Sequence, residues 1–146
     1  MFRGILSTML NPAFVLKSSL SHIPWHYSLA VSACAFFLFF LQTGLDLYKT
    51  GQKGLGFVFW AAGTGAVYGA VVIPMLGLFL WLILRALKAG KGISWAVSSF
   101  CLSYSGALIY GILGLFFSLV LGWRTSVAFG VTGVLWATGP LITAVR

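Results

Sequence analysis

Three places in this sequence carry residues whose types and spacing could do chemistry. The first is Arg85-Ala-Leu-Lys88-Ala-Gly90-Lys91-Gly92-Ile-Ser94, where glycine beside lysine follows an apolar run. Such a pairing can cradle phosphate, but a P-loop needs Gly-x-x-x-x-Gly-Lys-Ser/Thr between a strand and a helix. Here the upstream glycine is missing at that spacing, and Gly92 stands where Ser or Thr should follow Lys91. No Asp is at hand to hold magnesium. The stretch reads instead as a helix end, with Gly90 as the C-cap and Arg85 and Lys88 in the last turn opposing the helix dipole.

The second place is His22 and His26, separated by four residues like the paired ligands of a helical metal site. Pro24 lies between them, no Glu follows His22, and no third ligand is in view. They are weak haem or quinone candidates; beside Trp25 and Tyr27 they read as amphipathic residues at a membrane boundary. No metal or cofactor is expected. The third place is Asp46, the sole carboxylate of the chain. An acid inside a span would be a functional hypothesis by default, but Asp46 falls at a span end, with Lys49 at i+3 and Lys53 nearby. A loop ion pair is the expected state. Gln42, one turn earlier, is the amide placed to hydrogen-bond a neighbouring helix. Cys34 and Cys101 sit in apolar segments and read as small hydrophobes. With one acid there is no carboxylate pair for general acid–base work, and no catalytic residue is assigned.

These residues are carried by an unusually apolar chain. Of 146 residues 60% are hydrophobic and 7% charged, with a mean hydropathy of +1.04. Soluble domains carry about 25% charged residues, and a chain this short cannot bury so much apolar surface in a water-facing core. The solvent it suits is a bilayer. Nine Lys and Arg against one acid give a formal charge of +8. The basic residues fall between apolar segments rather than on one polar face, which excludes nucleic acid and points to anionic headgroups or acidic partners.

The expected fold is an all-α integral membrane protein: a four-span helical bundle behind an N-terminal interfacial segment. Residues 1–24 form that segment, with Phe2, Ile5, Leu6, Met9 and Leu10 at helical spacing, Asn11-Pro12 as a helix start, and Arg3 and Lys17 snorkelling. The bundle, residues 25–146, has spans at about 25–45, 55–84, 93–123 and 126–145, separated by polar turns such as Asp46–Gly54. The second run is overlong: 30 residues make about 45 Å at 1.5 Å each, against ~30 Å of hydrocarbon. Pro74 is the expected kink. In the third run Ser94, Ser98, Cys101 and Ser105 share one face, and Ser105-Gly106 is the expected bend. Four spans put Arg3, Lys17, Arg85, Lys88, Lys91 and Arg146 on one side. Lys49, Lys53 and Arg124 fall on the other with Asp46. By the positive-inside rule both termini are cytoplasmic, in a cell membrane of prokaryotic type. Small residues mark the packing faces: Gly65 and Gly69, then Gly114, Ser118 and Gly122, then Gly133 and Ala137.

The long helix Pro74-Met-Leu-Gly-Leu-Phe-Leu-Trp-Leu-Ile-Leu-Arg85, the turn Gly90-Lys-Gly-Ile-Ser-Trp95 and the segment Leu102-Ser-Tyr104-Ser together resemble the Yip domain family of small polytopic membrane proteins. Members usually have five spans and a proline after the Tyr segment, where this chain has Gly106. The resemblance implies a non-enzymatic membrane protein; eukaryotic members associate with small GTPases and with one another. The expectation is therefore a structural or accessory subunit that meets other membrane subunits or itself, and anionic lipids. The rival is a transporter or channel subunit with a pathway near Pro74 and Gly106.

Overall fold

The computed structural model describes residues 24–88, 90–139 and 142. Among them there is no strand. Helix α1 runs Trp25–Lys49, α2 Leu55–Ala86, α3 Ile93–Val120 and α4 Ser126–Trp136. The first three are long and apolar enough to cross a membrane; α4 is shorter among the described residues. Positions 1–23, with Arg3, Lys17 and His22, lie outside the described residues, as does Arg146.

The helix ends correct the sequence reading in three places. α1 passes through the expected turn and stops only at Lys49, capped by Thr50 and followed by Gly51 at φ 71°. Asp46 is therefore a last-turn residue, not a loop residue. α2 ends at Ala86, and Lys88 rather than Gly90 is the first residue to enter the left-handed region, at φ 56°. α3 stops at Val120, two residues before Gly122 at φ 68°.

Both overlong helices are interrupted. Ahead of Pro74 the chain takes a π-helical turn, Tyr68–Val72, in which the Ile73 N–H donates back to the Tyr68 carbonyl. Proline has no N–H to give and its ring crowds the carbonyl four residues back, so a widened turn is one way to admit it. In α3 the interruption falls at Tyr104, whose N–H reaches only to the Cys101 carbonyl (3.3 Å), and Ser105 restarts the helix.

α1 is central and touches the other three helices. α2 folds back along it: a Cβ at Gly44 would meet Val58, one at Gly65 the Phe36 carbonyl, and one at Gly69 the Ser32 carbonyl. The backbones can approach this closely only because those positions lack a Cβ, and in lipid such contact replaces the hydrophobic drive between helices. The Ser32 hydroxyl reinforces the crossing by donating to the Gly69 carbonyl at 2.8 Å. α3 then runs alongside α1, Leu102 packing with Val31 and Gly111 lying against Leu38. α4 returns with Gly130 against Phe39 and Gly133 against Ala107. Phe36, Ile73 and Cys101 form the buried centre where α1, α2 and α3 meet.

Candidate functional site

This arrangement gathers the polar residues of three helices at one end of the bundle. Gln42, Asp46 and Lys49 recur at i, i+4 and i+7, so they share one face of α1. That face meets the C-terminal half of α3 and the start of α4. The Gln42 amide Nε2 donates to the Gly111 carbonyl at 2.6 Å, and its Oε1 occupies space that a Cβ on Gly114 would take. One turn on, Asp46 Oδ2 accepts from the Ser126 N–H at 2.9 Å and from the Ser126 hydroxyl at 2.6 Å. A carboxylate on the first N–H groups of a helix satisfies donors that have no partner within it and opposes the positive end of its dipole.

Lys49 does the converse for α3. Its Nζ donates to the Ser118 carbonyl (2.5 Å), the Ser118 hydroxyl (2.7 Å) and the Trp123 carbonyl (3.4 Å), an ammonium on the negative end of a helix. Asp46 and Lys49 thus hold both sides of the turn between α3 and α4. The expected Asp46–Lys49 ion pair is not the arrangement found: each side chain spends its charge on backbone and serine groups of another helix. The sequence reading missed Thr125 and Ser126 here, although Thr-Ser ahead of an apolar run is a legible helix start.

The cluster is buried and, among the described residues, incompletely paired. Gln42 is fully buried, Thr125 is 1% exposed and Asp46 8%. Gln42 Oε1, Asp46 Oδ1 and Thr125 Oγ1 are buried with no hydrogen-bond partner among the described residues. All three are oxygens, and a buried oxygen without a donor costs about 1–3 kcal/mol, more if charged.

The other candidate residues are placed as follows. His26 is exposed at the start of α1, its ring at an edge to Trp25. Among the described residues no three His, Cys, Asp or Glu come together as a metal site. Arg85 lies over Trp81 at 5.2 Å and Lys91 over Trp95 at 4.8 Å, with Lys88 exposed between them. Gly65, Gly69, Gly114 and Gly133 lie at close approaches of helices, and Ser118 and Ala137 are buried. Gly122 departs from its expected packing role: it follows the end of α3 with nothing near its Cβ position. Of the small polar stripe on α3, Ser98, Cys101 and Ser105 are buried, whereas Ser94 is exposed. No family model, curated protein or solved structure matches the chain.

Proposed function

We propose that the chain is a non-catalytic, four-span protein of a prokaryotic cell membrane, with both termini cytoplasmic, serving as a structural or accessory subunit of a larger membrane assembly. Membership of the Yip domain family belongs to the same proposal and rests on the sequence resemblance alone. The observation that carries the reading is the outward face of α2. Only 22% of its most apolar stretch is buried, against 39% in α1 and in α3. On that face Gly56 and Gly63, seven residues apart, have nothing within 4 Å of their Cβ positions. Phe59 and Trp60 stand out beside them, 71% and 78% exposed. Glycine facing only lipid gains nothing, whereas glycine flanked by large aromatic rings allows another helix close approach. Arg85, Lys88 and Lys91 supply the contact to anionic headgroups or to an acidic partner.

The test is gentle extraction followed by native mass measurement. Distinct membrane subunits should accompany the chain and be lost from Gly63→Leu, whose Cβ position has nothing within 4 Å among the described residues. A lone monomer or a pure homo-oligomer would refute the reading.

A second reading, a transporter or channel subunit, draws on the two helix interruptions. The Phe36 ring packs against Tyr68 at 5.1 Å and against Tyr104 at 5.0 Å, so both irregular turns adjoin one side chain. π-turns are frequent where helices move or bind. Solute flux into proteoliposomes of the isolated chain, reduced by Phe36→Leu, would favour it over the first.

A further inference from the structure

Three unpartnered oxygens sit on the elements that meet at the Asp46 end. Gln42 Oε1 and Asp46 Oδ1 lie one turn apart on the same face of α1, and Thr125 Oγ1 directly precedes the serine that Asp46 caps. Each residue is held in place by another contact. Gln42 is fixed through Nε2 to Gly111, Asp46 through Oδ2 to Ser126, and the Thr125 carbonyl by the Phe129 N–H at 2.8 Å. The free atoms are thus not loose ends of mobile side chains. They are one carboxylate oxygen, one amide carbonyl and one hydroxyl, a hard all-oxygen set that suits a cation without bound thiolate or imidazole.

Charge selects the kind of cation. A divalent ion asks for about six to eight oxygens, usually with several carboxylates, whereas Asp46 is the sole acid of the chain. Lys49 lies one turn away, engaged with Ser118 and Trp123 but adding positive potential. With one carboxylate and an ammonium a turn away, the set can take no more than a single added positive charge. We propose that Gln42, Asp46 and Thr125 form a binding site for one alkali-metal cation, and that its occupancy locks α4 onto α1 and α3. Gly114 is part of the site, because its missing side chain leaves the room that Gln42 Oε1 occupies.

The site concerns the chain by itself and stands whether or not partner subunits exist. The full chain in detergent is melted in sodium, lithium, potassium or choline chloride at matched ionic strength, followed by tryptophan fluorescence. An alkali cation at many times its dissociation constant should raise the midpoint by roughly 3–8 °C over choline. Asp46→Asn keeps an oxygen for Ser126 but removes the negative charge and puts an NH2 in place of the free oxygen, so its midpoint should no longer respond to the cation. Thr125→Val, close in shape, should lessen the response, and so should Gln42→Met, which takes away the amide oxygen. Equal midpoints in all four salts would overturn the proposal and leave the oxygens to water or a proton. So would a cation response that survives Asp46→Asn or is untouched by both Thr125→Val and Gln42→Met.

Discussion

The two ends of the bundle each carry three basic side chains among the described residues, and only Lys49 among the six is drawn into the fold; Lys53 lies over the Phe57 ring and Arg124 is exposed. At one end Lys49 turns inward, Asp46 joins it from the same helix face, and together they hold the Gly122–Thr125 turn. At the other end Arg85 and Lys91 lie over indole rings, and Lys88 faces outward. What separates them is the presence of partners inside the fold. Asp46, Ser118 and Ser126 give the first end somewhere to spend charge; the second has tryptophans, which shelter a cation without desolvating it. A lysine beside serines and a helix end becomes part of the fold. A lysine beside tryptophan at a helix boundary stays available to what lies outside.

The comparison breaks most visibly at the outward end. Replacing Arg85, Lys88 and Lys91 together by glutamine should leave the melting midpoint in detergent nearly unchanged. It should cut the preference for anionic over zwitterionic lipid by about 100-fold, taking roughly 1 kcal/mol for each basic residue near a headgroup. Native mass spectra of retained lipids read this directly. A large loss of stability instead would mean that these side chains hold the fold as Lys49 does.

The inward end should behave the other way. Asp46→Ala leaves the Ser126 N–H and hydroxyl unpaired and removes a helix cap, a loss of about 2 kcal/mol. Lys49→Met keeps the apolar stem and costs about 1 kcal/mol. Both side chains brace one turn, so the double variant should cost less than the two single losses added together. Thermal melting measures all three, and proteolysis within 121–125 reports the turn. Strict additivity would show two independent contacts rather than one clasp.

Why one end was legible in the sequence and the other was not follows from distance along the chain. Apolar runs and their aromatic borders set α1, α2 and α3 to within a few residues, because span length is a local property of composition. The end at Arg85–Lys91 is equally local: cation and ring lie four residues apart in both pairs. The clasp joins residues 69 and 80 positions apart, which no periodicity encodes. Reading Asp46 with Lys49 as a loop ion pair used the nearest opposite charge. In the fold the i+3 neighbour lost to helix termini, which offer several oriented dipoles where a surface pair offers one screened charge. The site at Gln42, Asp46 and Thr125 was half visible, as a buried amide and a lone acid, and lacked only the turn that leads into α4. The side-to-side excess of basic residues rests on Arg3, Lys17 and Arg146, since the described residues divide three against three.

The finest distinction between the ends lies in Lys88 itself. It is the one non-glycine residue with positive φ among those described, at 56°, immediately after the Leu87 cap of α2. That position in a helix stop is normally glycine, because a Cβ there crowds the following carbonyl. A lysine held in the left-handed region, with its side chain exposed and making no hydrogen bond among the described residues, carries a backbone cost; its N–H donates to the Arg85 carbonyl at 3.0 Å, a bond that glycine would keep. Lys88→Gly should therefore raise stability by about 0.5–1 kcal/mol, while Lys88→Gln should leave it level. Both should weaken retention of anionic lipid to the same small degree, since both remove one charge. Melting midpoints and lipid retention measured on the pair separate the backbone term from the charge term. If Lys88→Gly proves destabilising, the lysine side chain is held by the fold after all, and the outward end is more like the inward one than its geometry indicates.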